Sequence, residues 1–426
     1  MERKTLQVGR TLLVGGPASV KVVDGSLDTV GVTVSTRGSV VIRCGRILPV
    51  KPLEASTVEV TLGEGGSMEE IEGNPFPEAW LDTVADTVAK RFVKVMVVGD
   101  TDSGKTTFCT LLVNQAVKEG LKVALVDGDI GQADIGPPTT VSLAVLKKQT
   151  VDLFTSTPEK VLFMGATTPC GLIGKVVEGV AELGRKALEL GAEFVVFNTD
   201  GWVDGEAATL YKIDLAANVG ADVVFLLQTS AGLQGLTDGL KGLGLNAQVL
   251  PVPAAIKPRS REVRKGLREL GYKKGLRDLT CRTLPLGWFQ LENTVLGSGM
   301  PLTQDRVYEF SERLGGNVLY GEEKAGLLVL VVDGDELPQE ASKSFVEAQG
   351  RDVHVIHRGV EKGLISALLD KNREFQGLGI IDEIDYVKRV LKVYTPYTGP
   401  VSIVQLGQVK LDRDGRELAQ YPYCPI

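Results

Sequence analysis

Apolar residues follow two different spacings along the chain. In the first 75 residues, short runs rich in β-branched side chains, such as 20–23, 30–34 and 58–62, lie between turns. This pattern predicts a small all-β domain. From about residue 93 to 285, continuous apolar runs alternate with segments of helical spacing. Buried strands separated by helices predict a parallel sheet that is covered by helices on both faces.

The last third of the chain returns to a period of mostly two, which predicts a second β-rich domain. Helices are expected there at 304–314 and 363–370, and Asp24-Gly25 is expected to form a hairpin turn near the start of the chain. The sequence therefore predicts an α/β protein in three parts. These are an N-terminal β domain (1–75), a central domain with a parallel sheet (76–285) and a C-terminal β-rich domain (286–426).

A glycine-rich loop connects the first central strand to a helix. The stretch Gly99-Asp-Thr-Asp-Ser-Gly-Lys-Thr106 fits the pattern G-x-x-x-x-G-K-[ST], with an apolar strand before it and a helix after it. In that context, backbone N–H groups of the loop and of the helix N-terminus converge on phosphates. Lys105 would reach the β- and γ-phosphates, and the Thr106 hydroxyl would bind Mg²⁺. The residues predicted to hold the nucleotide are Gly99, Asp100, Thr101, Asp102, Ser103, Gly104, Lys105, Thr106 and Thr107.

A second, acidic element ends the next strand. The stretch Asp127-Gly-Asp-Ile-Gly-Gln132 begins 22 residues after Lys105. Carboxylates at the carboxyl end of a strand beside a phosphate loop lie where Mg²⁺ and an attacking nucleophile are bound. One carboxylate there can position a magnesium-bound water or take the proton of an attacking hydroxyl. We therefore predict a metal site formed by Thr106, Asp127 and Asp129.

Charge and cysteine content narrow the function classes. The net charge of −7 argues against a protein that coats nucleic acid non-specifically. Residues 257–277, here called the cationic segment, nevertheless hold nine Lys or Arg against two acids, which favours one site for an anionic ligand. The two histidines, His354 and His357, argue against a Ser-His-Asp triad, and five scattered cysteines argue against a zinc module. With no recognisable signal peptide or membrane span, we expect a cytoplasmic protein.

Two further stretches complete a set of four motifs. They are Asn198-Thr-Asp-Gly-Trp-Val-Asp-Gly205 and Arg259-Ser-Arg-Glu-Val-Arg264. In order and spacing, the four motifs resemble those of the polynucleotide 5′-hydroxyl kinases, the family of the RNA-cleavage-factor kinase subunit and the Grc-type ribosomal-RNA-processing kinases. The chain resembles an archaeal- or bacterial-like member, and a β–kinase–β layout matches over its whole length. The resemblance implies a P-loop NTPase domain that uses ATP and Mg²⁺.

The resemblance also implies a role for each matching side chain. Asp129 would activate the 5′-hydroxyl of the incoming strand, and Gln132 would support that carboxylate or a metal-bound water. Trp202 would stack on the terminal base, while Arg259 and Arg264 would belong to a lid over the transferred phosphoryl group. The residues expected to act in catalysis are Lys105, Asp129, Arg259 and Arg264, and those expected to contact nucleic acid are Gln132, Trp202 and Arg261.

The residues themselves support two of these roles. Trp202 follows an apolar strand at its carboxyl end, where an aromatic ring can stack on any base. The cationic segment has helical spacing, with a cationic face that suits a lid and an apolar face that would dock. The cationic face would hold Arg261, Arg264, Lys265 and Arg268, and the apolar face Val263, Leu267 and Leu270. A tryptophan packed beneath a loop and a solvated helix are the alternative interpretations.

We therefore expect an ATP-dependent kinase that transfers the γ-phosphate of ATP to the 5′-hydroxyl end of RNA, with DNA as a further substrate. It would act in RNA processing or repair, with RNA-processing proteins as partners. The alternatives are an ATPase switch, a small-molecule kinase, and a scaffold that binds ATP without phosphorylating nucleic acid. A switch gives no reason for Trp202 or an arginine lid, and positions 100–103 lack the lysine that many such switches carry.

Overall fold

The computed structural model describes residues 1–228, 231–255, 258–334 and 337–426. The chain divides into two compact units. Unit 1 comprises Met1–Leu162 and Thr168–Gly271, and unit 2 comprises Phe163–Thr167 and Tyr272–Ile426. Lys257 of the cationic segment lies outside the described residues. The division into three domains stays a prediction.

Unit 1 begins with two sheets, of order β1-β8-β3-β6 and β5-β4-β7-β2-β9, which form the predicted β-rich start of the chain. Buried side chains from both sheets share one core, for example Leu12 and Val50 from one and Val20 and Val58 from the other. The strands are β1 (Glu2–Leu6), β2 (Arg10–Gly15), β3 (Ala18–Asp24), β4 (Ser26–Thr29), β5 (Val32–Ser35), β6 (Ser39–Ile42), β7 (Ile47–Pro52), β8 (Ser56–Leu62) and β9 (Ser67–Glu72).

The hairpin predicted at Asp24-Gly25 is wrong. These residues connect β3 to β4, which belong to different sheets, because β6 and β8 already pair with both sides of β3. The tight hairpin lies instead at Val30-Gly31, where Thr29 pairs with Val32 and both loop residues have positive φ. That backbone geometry is the one that two-residue hairpin loops require.

The rest of unit 1 is built around the sheet β13-β12-β11-β14-β10-β15-β16. Five neighbouring strands of this sheet are parallel, in the order β11, β14, β10, β15 and β16. Nearly all residues of the first four are buried, as the continuous apolar runs predict. The strands are β10 (Val93–Gly99), β11 (Val123–Gly128), β12 (Thr140–Leu146), β13 (Lys160–Phe163), β14 (Phe194–Thr199), β15 (Val223–Gln228) and β16 (Asn246–Pro251). The helices are α1 (Glu78–Ala89), α2 (Lys105–Lys118), α3 (Ile173–Glu189), α4 (Glu206–Val219), α5 (Gln234–Gly242) and α6 (Arg261–Gly275), whose residues after Gly271 belong to unit 2.

The sheet is mixed rather than wholly parallel, so the prediction of a parallel sheet holds for its central strands only. Strand β12 runs antiparallel to β11. The connection over 129–139 contains no helix, and without a helical crossover the chain returns beside β11 in the opposite direction. The order of the parallel strands places the carboxyl ends of β11, β14 and β10 side by side at one edge.

Unit 2 contains two sheets, of order β17-β25-β24-β23-β26-β18, with β27 beside β26, and β19-β20-β21-β22. It is β-rich, as the period of two predicts. The strands are β17 (Thr280–Pro285), β18 (Gln290–Glu292), β19 (Met300–Pro301), β20 (Val318–Lys324), β21 (Leu327–Val332), β22 (Asp352–His357), β23 (Leu364–Leu369), β24 (Phe375–Asp385), β25 (Val390–Thr395), β26 (Ile403–Leu411) and β27 (Glu417–Gln420), and the helices are α7 (Gln304–Leu314) and α8 (Gln339–Gln349).

The helix predicted at 363–370 is wrong, because this segment forms β23. All six of its residues are buried between β24 and β26. A short, fully buried strand has no alternation of polar and apolar residues, so periodicity does not distinguish it from a buried helix. In the described part of the chain, no helix combines the length and the apolar character needed to cross a bilayer.

Candidate active site

The phosphate loop has the predicted strand–loop–helix context. Strand β10 ends at Gly99 and α2 begins at Lys105, with Gly104 at a φ of +94° that favours glycine. The Lys105 side chain folds back over the loop, and its Nζ donates to the carbonyl oxygens of Gly99 at 2.9 Å and Asp100 at 2.8 Å. Burial lowers the pKa of Lys105, against the opposing charge of Asp129. The lysine is thus held inside the loop that it would use to bind phosphate.

Adjacent strand ends bring the second and third motifs to this loop. Asp127 of β11 pairs with Asn198 of β14 across the parallel ladder. The turn after β14 then lies directly against the loop, since a Cβ on Gly201 would approach the Thr101 backbone nitrogen to 2.8 Å. Only glycine fits at that position without moving the loop. All four predicted motifs therefore lie in unit 1. They are 99–107, 127–132, 198–205 and the arginine-containing stretch 259–264.

Asp129 is held in a tight turn beside the loop. Its Oδ1 accepts hydrogen bonds from the backbone nitrogens of Gly131 at 3.1 Å and Gln132 at 2.8 Å. No hydrogen bond reaches its Oδ2 from the described residues, which leaves this oxygen available to a ligand or a proton. Burial and the charge of Asp200 raise the pKa of Asp129, while Lys105 opposes this shift. A carboxylate in such surroundings is suited to accept a proton.

Asp127 is more completely engaged with the protein. Its Oδ1 accepts from Asn198 Nδ2 at 3.1 Å, and its Oδ2 accepts from the backbone nitrogens of Asp134 at 2.7 Å and Ile135 at 3.2 Å. Burial and the charges of Asp134 and Asp129 raise the pKa of Asp127 to about 7. These contacts fix the loop that carries Asp129. The role of Asp127 as a metal ligand stays a prediction, and the described residues contain no cluster of three or more His, Cys, Asp or Glu suited to a metal.

Trp202 belongs to a network centred on Asp200. The Asp200 carboxylate accepts from the Trp202 backbone nitrogen at 2.9 Å, the Tyr211 hydroxyl at 2.7 Å and Lys212 Nζ at 2.9 Å. The Trp202 ring is half-buried and stacks on Tyr211, with ring centroids 5.8 Å apart and an angle of 27° between the planes. One face of the indole is thus covered by protein. The network fixes the orientation of the indole ring.

Sequence reasoning did not find Tyr211 and Lys212. Lys212 is fully buried on α4, where burial lowers its pKa against the charge of Asp200. A buried lysine next to an acidic strand end is a strong structural signal. In the sequence, however, both residues occur in an ordinary helical segment, and only their distance to Asp200 reveals the connection.

The lid arginines contact the phosphate loop through Asp102. Asp102 Oδ2 accepts from the Arg259 backbone nitrogen at 2.9 Å and lies 3.2 Å from Arg264 Nη1, and its Oδ1 lies 3.3 Å from Arg259 Nη1. Gln132 Nε2 donates to the backbone oxygen of Arg264 at 3.3 Å. The structure therefore brings Arg259, Arg264 and Gln132 together with the loop, whereas Arg261 is exposed to solvent.

The predicted division of this helix into a cationic face and an apolar docking face is wrong. Val263 and Leu270 are 40% and 38% exposed, while Leu267 and Arg268 line a small cavity that Thr106 also lines. Arg264 instead bonds to Asp102 and Gln132, which holds this side of α6 against the phosphate loop. Most residues of this helix are polar, so its apolar pattern is weak, and specific polar contacts override that pattern.

Two arginines of the N-terminal sheets also reach the site, and sequence reasoning missed them. Arg43 makes a bidentate pair with Asp152, and Arg46 forms a hydrogen-bonded ion pair with Asp134. Burial opposes the charged form of Arg46, but the charge of Asp134 more than compensates and raises its pKa. A cleft of about 50 Å³ opens there beside the start of α2. Among the residues lining it are Arg43, Arg46, Ile47, Thr106, Thr107 and Arg259.

Several known proteins resemble this chain. The family model of the mRNA cleavage and polyadenylation factor CLP1 P-loop matches residues 99–274. A polyribonucleotide 5′-hydroxyl-kinase of Methanocaldococcus jannaschii is 27% identical over 335 residues, which cover 78% of this chain and 90% of that protein. The corresponding kinase of Pyrococcus horikoshii is 28% identical over 333 residues, or 77% of this chain and 89% of that protein.

A solved structure of a Clp1p–Pcf11p complex shares the fold. Its TM-score is 0.66 at 12% sequence identity, and the match covers 96% of this chain and 97% of that chain. The range matched by the family model includes the loop, the strand ends and the arginines that the structure brings together. Over residues 99–274, the chain therefore matches the model of the CLP1 P-loop domain, in agreement with the resemblance seen in the motifs.

Proposed function

We propose that this protein is an ATP-dependent polynucleotide 5′-hydroxyl kinase, which transfers the γ-phosphate of ATP to the 5′-hydroxyl end of RNA. The observation that carries the proposal is the convergence of Lys105, Asp129 and the Asp200–Trp202 turn at one edge of the central sheet. A phosphate-binding lysine, a proton acceptor and a stacking ring are the parts that such a transfer needs. An ATPase switch would have no use for the ring.

The proposed mechanism assigns one task to each side chain. Lys105 and the loop N–H groups bind the β- and γ-phosphates, and Asp129 Oδ2 accepts the proton of the attacking 5′-hydroxyl. Arg259 and Arg264 stabilise negative charge on the transferred phosphoryl group. Trp202 holds the terminal base so that the hydroxyl lies in line with the γ-phosphate. The products are ADP and a 5′-phosphorylated strand.

The oxygen donors beside the loop suit Mg²⁺, which commonly binds one or two carboxylates together with phosphate oxygens and waters. The Thr106 hydroxyl would hold the ion, Asp129 would position one of its waters, and Asp127 would act from behind through the turn that it fixes. When bound, Mg²⁺ neutralises charge on the phosphates.

The proposed substrate is RNA, with DNA as a second one, and the proposed partner is an RNA-processing protein. The archaeal relatives are named polyribonucleotide kinases, which favours RNA as the main substrate and leaves DNA as a second one. The solved neighbour is a complex with a second protein, which favours a protein partner for this chain in RNA processing. Free thiols at all five cysteines are in keeping with a cytoplasmic location.

Transfer of label tests the proposal. Purified protein, Mg²⁺ and γ-labelled ATP are mixed with RNA or DNA oligonucleotides bearing a 5′-hydroxyl, with a nucleoside, or with no acceptor. We expect label on the RNA end, less on DNA, and none with Lys105→Ala. RNA that already carries a 5′-phosphate is the matched control and should stay unlabelled. Label on the nucleoside alone, or release of phosphate without any labelled acceptor, would contradict the proposal.

A further inference from the structure

Asp102 is an unexpected residue in a loop that binds phosphate. Its side chain is only 8% exposed, and it lies within a loop whose predicted ligand is strongly anionic. A carboxylate at such a position repels phosphate, and because little water surrounds it, the repulsion is only weakly screened. Nothing in the chemistry of phosphate binding requires an acid there.

The same carboxylate is compensated by two cations from elsewhere in the chain. Arg259 and Arg264, here called the arginine pair, lie 3.3 Å and 3.2 Å from the Asp102 oxygens. The backbone nitrogen of Arg259 donates a further hydrogen bond at 2.9 Å. With the arginine pair in place, the group carries a net positive charge. Without the pair, the loop would present an uncompensated, poorly hydrated carboxylate to its ligand.

We propose that Asp102 makes nucleotide binding depend on the arginine pair, so that the loop accepts a triphosphate only while the arginines lie over it. Asp102 is in this view a positioning residue that acts through charge, and the inference rests on the proposed use of ATP. The hydrogen bond from Gln132 to the backbone of Arg264 connects the same helix to the Asp129 turn. Nucleotide binding and placement of the proton acceptor are thereby coupled.

The backbone geometry selects the variant for a test. Asp102 has a φ of +60°, in the left-handed region that asparagine tolerates as well as aspartate does. Asp102→Asn therefore removes the charge while it preserves the loop conformation. Asp100→Asn is the matched control, because it removes an equal charge from an exposed position of the same loop. The Asp100 carboxylate accepts a hydrogen bond from the Thr101 backbone nitrogen and, among residues that the structure describes, makes no ion pair with the arginine pair.

The experiment measures the Kd of a non-hydrolysable ATP analogue for five proteins. These are the wild type, Asp102→Asn, the double variant Arg259→Ala/Arg264→Ala, and that double variant combined with either Asp102→Asn or Asp100→Asn. We expect the double variant to bind at least about tenfold more weakly, as loss of a partner of a buried charge implies. Adding Asp102→Asn should recover most of that affinity, whereas adding Asp100→Asn should recover less than about twofold, because exposed charges are screened.

The sign of the Asp102→Asn effect separates charge control from simple anchoring. If Asp102 merely anchored the arginines, Asp102→Asn alone would weaken binding and would recover nothing in the double variant. Either result, or an unchanged Kd in the double variant, would overturn the inference. If the wild type binds no analogue, the proposed function is contradicted. If the wild type binds ATP and labels RNA but Asp102→Asn does not restore affinity to the double variant, only the inference is contradicted.

Discussion

At the scale of single residues, Asp200 connects the turn beside the phosphate loop to Trp202 and Tyr211. A buried carboxylate is stable only when donors satisfy it, and Asp200 has a backbone nitrogen, the Tyr211 hydroxyl and the Lys212 ammonium. These bonds fix the chain at Trp202, and Tyr211 covers one face of its ring. The proposed stacking of the ring on a base would use this fixed orientation.

Replacing Trp202 tests that role. Trp202→Ala should raise the KM for an RNA oligonucleotide about 10- to 100-fold, the loss expected for one stacked base. The Kd of ATP should change less than about twofold, because the phosphate contacts are untouched. Steady-state kinetics and equilibrium nucleotide binding measure the two quantities. Trp288→Ala, at an exposed tryptophan of unit 2, is the control, and an equal loss of RNA use and ATP binding in Trp202→Ala would refute the stacking role.

Local motifs made much of the site predictable, because each motif residue acts next to its neighbours in sequence. Lys105 and Asp129 could be located from the pattern of a strand, a turn and the following residues. The partners of Asp102 could not, since Arg259 lies 157 positions away and only folding brings the two together. Lys212 was missed for a different reason. It is noteworthy only because it is buried, and the sequence pattern does not predict burial of a single polar residue.

At the scale of elements, a short ion-paired connection attaches the N-terminal sheets to the sheet of the active site. Arg43 follows β6, and Asp152 follows β12 and begins a short 3₁₀ turn by accepting from the backbone nitrogen of Phe154. Burial favours the neutral acid, but the hydrogen bond and charge of Arg43 hold the pKa of Asp152 below its ordinary value of 3.8. The ion pair thus stabilises the wall of the cleft beside Thr107.

The sign of this pKa shift gives a prediction. A carboxylate whose pKa is depressed in the folded state adds stability above its unfolded pKa and loses it as the pH falls through the folded value. Asp152→Asn should therefore reduce the free energy of unfolding by about 2 kcal/mol at pH 7, and by less below about pH 4. Urea unfolding between pH 7 and 3 measures the difference. Asp414→Asn, an exposed acid, is the control, and a cost in Asp152→Asn that does not change with pH would contradict the account.

Element type was predictable in α7, where the hydrophobic period is regular, and in the central strands, whose apolar runs alternate with segments of helical spacing. It failed at β23, where a fully buried strand and a buried helix present the same apolar run. It also failed for the faces of α6, where Val263 and Leu270 are exposed and Arg264 pairs with Asp102. In both cases the decisive interactions are with segments distant in sequence.

At the scale of the whole molecule, the residues proposed to form the active site come from widely separated segments of unit 1. The N-terminal sheets contribute Arg43 and Arg46, the strand ends contribute Asp129 and Trp202, and the cationic segment contributes the arginine pair. Phosphoryl transfer depends mainly on positioning and charge, so an enzyme of this kind must assemble its parts around one phosphate site. The central claim is that Asp129 serves the acceptor hydroxyl at this site.

A single-turnover transfer measurement on Asp129→Asn tests that claim most directly. Each protein is saturated with γ-labelled ATP and then mixed with 5′-hydroxyl RNA. We predict that Asp129→Asn binds ATP within about twofold of the wild type, yet transfers label at least about 100-fold more slowly, because the hydroxyl loses its proton acceptor. Transfer at the wild-type rate by this variant would contradict the account.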